Sequence, residues 1–127
     1  EGSGGYAREL SEDEKKAQQE KLAAVVAVAD AVICTAAVPG RPAPKIISSD
    51  MVSRMKTGAV IVDLAAESGG NCELTQAGKT VSAYGVTLHG PLNIASTMPV
   101  HASEMYAKNL LAILGLMIKD RELKPHW

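Results

Sequence analysis

The chain has 127 residues, with 13 Lys or Arg against 14 Asp or Glu and a formal net charge of -1, which suits one small domain with a single core. The near-neutral balance gives no basic field for a phosphate backbone, and three Tyr and one Trp leave little to stack on bases, so nucleic acid is not an expected partner. Hydrophobic residues reach 46% without a Phe, a diet of Ala, Val, Leu and Ile that suits thin layers of parallel strands and helices.

Ser11-Glu12-Asp13-Glu14 is a helix entry. Ser11 caps, the acids suit the positive end of the helix dipole, and Glu14 stands at the capping-box spacing. The helix is expected to run through the Ala/Val-rich stretch to about Ala29. Residues 31–36 (Ala-Val-Ile-Cys-Thr-Ala) predict a short strand buried on both sides. Pro39, Pro42 and Pro44 then force residues 38–45 into an extended loop. Ser49 or Asp50 is the expected cap of a short helix through Met55, closed by Thr57-Gly58.

Residues 59–64 (Ala-Val-Ile-Val-Asp-Leu) form the clearest strand, continuous in its apolar character, and residues 67–71 are the loop beyond it. Residues 79–83 and 86–88 read as two further short strands. Residues 98–118 predict a long final helix, with Pro99 tolerated in its first turn. The order describes an α/β fold, the second half of a Rossmann-type parallel sheet with flanking helices. Ligands of such sheets bind beyond the carboxyl ends of the strands. The loops after residue 35 and after Asp63 are therefore the places to seek chemistry.

Several function classes recede. The longest apolar stretch, 22–38, is shorter than the roughly 20 residues of a bilayer span and holds Asp30. No basic-then-apolar leader opens the chain, so a soluble protein is expected. Cys34 and Cys72 lack a local spacing signal, which favours free thiols in a reducing compartment. His89, His101 and His126 are scattered and form no ligand set. The Gly/Ser-rich opening and the polar tail at 119–127 both read as interior pieces of a longer chain.

The strand–turn–helix pattern Gly-x-Gly-x-x-Gly is absent from the sequence. A dinucleotide fold ordinarily grips pyrophosphate with that turn and a helix N-terminus, so residues 1–127 read as a partial domain whose first βαβ half lies elsewhere. Asp63 suits both a turn-holding carboxylate and a ligand contact. Glu67 is equally a solvated side chain or a ligand neighbour, and Gly69-Gly70 is also what a tight turn requires.

Four phrases, in order, carry a family resemblance: Gly4-Gly5-Tyr6-Ala7-Arg8-Glu9-Leu10, then Thr35-Ala36-Ala37-Val38-Pro39-Gly40-Arg41-Pro42-Ala43-Pro44-Lys45, then residues 60–71, and finally Gly90-Pro91-Leu92-Asn93 with residues 96–103. Together they resemble the NAD(H)-binding component (alpha subunit, domain I) of proton-translocating nicotinamide nucleotide transhydrogenase and, more distantly, alanine dehydrogenase. The resemblance implies NAD as cofactor and hydride exchange with NADP(H) on a separate component. It also implies coupling to proton movement through a membrane component. The implied location is cytoplasmic, on the inner face of the bacterial inner membrane through those partners.

Residue by residue, the resemblance places Ala36, Ala37 and Val38 along the adenosine side. Asp63 and Leu64 would border the nicotinamide end, and Glu67 aligns with an acid beside the substrate in alanine dehydrogenase. Gly69 and Gly70 would let the backbone pass close to the nicotinamide. Residues 1–10 would form a mobile loop in which Tyr6 closes over nucleotide; Leu10 stands where the family commonly has Met. No catalytic side chain is expected, because the reactive carbon belongs to the cofactor. The competing expectations are an alanine-dehydrogenase-like oxidoreductase and a non-catalytic fragment. Without the missing half of its domain, an exposed sheet edge would favour a homodimer.

Overall fold

The structure is a computed structural model that describes residues 11–119 and 122–123. Tyr6 and the loop expected over residues 1–10 lie outside the described residues. The chain divides into two compact units, Glu1–Leu92 and Asn93–Trp127.

The first unit opens with helix α1 (Glu12–Val28). Its entry is the expected capping box: the Ser11 hydroxyl accepts from the Glu14 N–H, and the Ser11 N–H donates to Glu14 Oε2 at 2.8 Å. Strand β1 (Ala31–Cys34) follows, then helix α2 (Ser49–Ser53) and strand β2 (Val60–Asp63). A single 3-10 turn (Ala66–Ser68) leads on to strands β3 (Thr80–Ala83) and β4 (Val86–His89). The cap of α2 is Ser48, one residue earlier than expected, its hydroxyl accepting from the Met51 N–H at 3.2 Å. Asp50 instead lies in the first turn and pairs with Arg54 at 2.5 Å.

The four strands make one sheet in the order β1-β2-β4-β3. β1, β2 and β4 are parallel, with Ile33 opposite Val62 and Val62 opposite His89. β3 departs from the expected parallel arrangement and runs antiparallel to β4. The reason is the length of the connection: only Tyr84 and Gly85 separate the two strands, and a parallel crossover needs a dozen residues or more. Both turn residues have positive φ, 54° and 78°, the backbone of the tight primed turn that matches strand twist.

Helices α1 and α2 lie on one face of this sheet. Val26, Met51 and Val52 from the helices meet Ile61, Val86 and Leu88 from the strands, all buried. Ile61, Val52, Val86 and Leu88 are essentially inaccessible, and fully burying such a side chain contributes roughly 1.5–3 kcal/mol. Beta-strand alternation sends Ile33 to the opposite face, where it is 68% exposed. β1 is an edge strand, and between it and α1 lies an apolar hollow of about 430 Å³ walled by Leu22, Val25, Val32, Ile33 and Ile46.

The second unit contains a short helix α3 (Ile94–Thr97), the long helix α4 (Pro99–Met117) and a small hairpin of β5 (Ile118–Lys119) and β6 (Glu122–Leu123). Pro99 occupies the first turn of α4, where its missing N–H leaves no gap in the helix ladder. The mixed α/β architecture and long C-terminal helix are those expected of the sequence. No helix among the described residues is long and apolar enough to cross a membrane.

Candidate functional site

The carboxyl ends of β1 and β2 lie side by side, Cys34 opposite Asp63 in the register. The loops leaving them are stitched into one body. Pro39, Pro42 and Pro44 keep the first loop out of helix and sheet, and its main chain runs back along the second. The Ala43 N–H donates to the Ser68 carbonyl at 2.8 Å, the Ile46 and Ile47 N–H groups to the Asn71 carbonyl, and the Glu73 N–H to the Ile47 carbonyl. Lys45 adds a side-chain tie, its ammonium donating to the carbonyls of Gly69 at 2.6 Å and Cys72 at 3.2 Å.

Two buried polar side chains organise this body. Asp63, 1% exposed, accepts four hydrogen bonds. Oδ1 takes the Ala65 N–H, while Oδ2 takes the Asn71 N–H at 2.7 Å, the Cys72 N–H at 2.9 Å and the Thr75 hydroxyl at 2.6 Å. A carboxylate so deeply placed is tolerable only when it is hydrogen-bonded in this way. Asn71, inaccessible to solvent, reaches to the exit of β1. Its Oδ1 accepts from the Ala36 N–H at 3.0 Å and its Nδ2 donates to the carbonyls of Ala36 at 2.8 Å and Pro44 at 2.9 Å. Among the described residues, no buried side-chain nitrogen or oxygen lacks a hydrogen-bond partner.

Above this foundation is a crevice of about 650 Å³, walled by residues 37–42 and Ser68. Ala37 and Val38 therefore line it. Ala36 stands just beneath, with its N–H committed to Asn71. Leu64 is exposed at the start of the second loop, and Glu67 and Gly69 are exposed on either side of Ser68. Asp63 and Gly70 are buried below the surface, so the Asp63 carboxylate acts on the loop that carries Glu67 and the glycines. Asn71 and Lys45 escaped the sequence reading. Asn after Gly-Gly has the look of a plain turn residue, and a lysine in a proline-rich loop has the look of a solvated one.

The two thiols are free and buried. Burial, reinforced by the nearby Asp63 carboxylate and Cys72, pushes the Cys34 thiol up to about 11. Burial is also the main cause raising Cys72. Neither is poised as a nucleophile, since it is the thiolate that reacts. No group of three or more His, Cys, Asp or Glu among the described residues is placed to hold a metal ion.

A mostly parallel α/β sheet with a crevice beyond adjacent strand ends is the arrangement in which open, doubly wound α/β folds bind their ligands. Within that class, residues 6–127 match the family model described as alanine dehydrogenase/PNT, C-terminal domain, and the chain belongs to this family. It is 45% identical over 123 residues to NAD(P) transhydrogenase subunit alpha of Haemophilus influenzae, covering 95% of this chain and 24% of that protein. The crystal structure of transhydrogenase from Sinorhizobium meliloti superimposes with a TM-score of 0.73 at 43% identity, over 84% of this chain and 31% of that one. Alanine dehydrogenase of Bacillus subtilis is more distant, 36% identical over 105 residues, with coverage of 79% and 28%. The chain thus spans under a third of the length of these relatives.

Proposed function

We propose that this chain is the NAD(H)-binding part of a transhydrogenase that exchanges hydride between NAD(H) and NADP(H), coupled to proton translocation. The observation that carries the reading is the crevice over the ends of β1 and β2, with Ala37, Val38, Pro39 and Pro42 as its apolar wall. Ligand sites are concave, largely apolar, and sit at the strand ends of such sheets. An adenosine fits that chemistry: an apolar wall for the ring, with residues 37–40 exposed beside it.

When bound, NAD(H) supplies the redox chemistry. The residues of this chain bind it, orient it and exclude water. Leu64, Glu67 and Gly69 lie exposed on the second loop, and in this reading they border the nicotinamide end. Asp63 and Gly70 hold that loop from beneath. Placement is the main contribution of such a site, because misplacing two reacting groups by an ångström is costly.

The remaining components follow from this reading. A glycine-rich first half of the same domain grips the pyrophosphate, and without it the isolated chain is inactive and self-associates as a homodimer. The NADP(H)-binding and membrane components complete the enzyme and hold this domain on the cytoplasmic face of the bacterial inner membrane. Higher identity to the transhydrogenase subunit than to alanine dehydrogenase, 45% against 36%, favours this reading over an amino-acid dehydrogenase.

The test is calorimetric titration of the full-length protein with NADH, with NADPH as control, followed by a hydride-transfer assay with the NADP(H)-binding component added. Selective NADH binding and transfer to an NADP analogue are expected. Equal binding of both nucleotides, or binding of neither, overturns the reading.

A further inference from the structure

Asn71 has every polar atom engaged, and its bonds reach three separate segments. Its N–H goes to the Asp63 carboxylate at the end of β2, and its carbonyl receives the Ile46 and Ile47 N–H groups. Its side-chain amide takes both the N–H and the C=O of Ala36, and the carbonyl of Pro44 as well.

The side-chain contacts have the pattern of a strand ladder. The last main-chain rung between the strand exits is the Leu64 N–H donating to the Cys34 carbonyl at 2.9 Å. Beyond it the two chains diverge. The Asn71 amide supplies the next rung on the β1 side, pairing with Ala36 as the backbone of a neighbouring strand would. It therefore fixes the direction in which residues 37–42 leave the sheet, and those residues form the crevice wall. The pairing also fixes the amide orientation: turned over, Nδ2 would face the Ala36 N–H and Oδ1 would face two carbonyls.

We propose that Asn71 is a positioning residue for nucleotide binding, holding residues 36–38 in the conformation that receives the adenosine half. This rests on the function proposed above. Asn71 touches no ligand itself; it acts through Ala36. Its removal accordingly weakens binding at the adenosine end while leaving the hydride-transfer rate at saturating nucleotide unchanged. It also weakens AMP and NADH by the same factor, because both share the adenosine. A role in stability alone lowers the unfolding temperature but leaves both affinities of the folded protein as they were.

The experiment compares full-length wild type with Asn71→Ala, using AMP and NADH as probes. Affinities are measured by calorimetry well below the unfolding midpoint. Hydrogen exchange is followed over residues 35–38 and, as an internal control, over β2. The expected result is roughly tenfold weaker binding of both probes, faster exchange at residues 36–38, unchanged protection in β2 and an unchanged saturating rate. Wild-type affinity in the folded variant overturns the proposal, as does a loss confined to NADH. Should Asn71→Ala not hold its fold, Asn71→Ser is measured in the same way. Failure of both to fold assigns the residue to stability and overturns the proposal. Wild type that binds neither probe overturns the proposed function itself, an outcome distinct from a variant that binds normally.

Discussion

Gly70 is packed directly against the Asp63 carboxylate. A methyl group built on it would lie 2.8 Å from Asp63 Oδ2 and 2.8 Å from Thr75 Cγ2, and its φ of 81° lies in the left-handed region. Its neighbour Gly69 also has positive φ, 104°, but faces open space. The two glycines are therefore not equivalent. Gly69→Ala should cost about 1–2 kcal/mol, the backbone penalty alone. Gly70→Ala should cost clearly more, about 3 kcal/mol or above, because the carboxylate must shift as well. Denaturant midpoints of the two variants check the ordering, and equal midpoints would contradict it.

Asp63→Asn tests whether the carboxylate holds the second loop. The amide presents one acceptor oxygen where the carboxylate presents two, so in either orientation at least one donor is left facing an NH₂ group: the Ala65 N–H when the amide oxygen takes the place of Oδ2, and the Asn71 N–H, Cys72 N–H and Thr75 hydroxyl when it does not. Each buried donor left without a partner costs about 1–3 kcal/mol. The variant should lose roughly 3 kcal/mol, and residues 69–72 should exchange amide hydrogens faster than those of α1. Native-state hydrogen exchange separates this outcome from a uniform loss.

The raised Cys34 thiol makes a pH prediction with a definite sign. Burial favours the neutral form, so the folded-state value lies above that of the unfolded chain. The associated stability is fully present below pH 9 and declines as pH rises toward and through about 11. The gap in unfolding midpoint between wild type and Cys34→Ala should therefore shift against wild type between pH 9 and 11. At a pH of about 8 the native thiols should react with iodoacetamide far more slowly than the unfolded chain does.

At the open edge, Ile33, Val25 and Val28 are 68%, 66% and 66% exposed. Unpaired edges flanked by apolar side chains promote association. The isolated chain is expected to sediment as a dimer or larger species at micromolar concentration, and Ile33→Glu is expected to shift it toward monomer. A monomeric wild-type profile across the accessible concentrations would remove the basis for this prediction.

Much of the fold was legible because it rests on local signals. The capping box at Ser11 and Glu14 and the continuous apolar runs of β1 and β2 each predict their element without knowledge of the rest. The direction of β3 was also within reach, since the two-residue link Tyr84-Gly85 admits only a hairpin. The loops after β1 and β2 could be singled out by the strand-end rule. What lay beyond the sequence was the division of labour inside them. Nothing local distinguishes Asn71, which spans to Ala36 across a long stretch of chain, from any asparagine following two glycines. Similarly, the burial of Asp63 depends on Thr75 folding back over it, a contact between residues with no periodic relation.

The mixed strand directions also carry a consequence for how the chain assembles. β3 and β4 meet through a two-residue turn, so their pairing closes a minimal loop. β1 and β2 must instead bring their ends together around residues 35–59, and β2 and β4 around residues 64–85. Closing those longer stretches carries an entropic cost before any contact rewards it. The hairpin is therefore the natural early-formed piece. The parallel half, with both loops of the crevice, is expected to follow the hairpin in refolding.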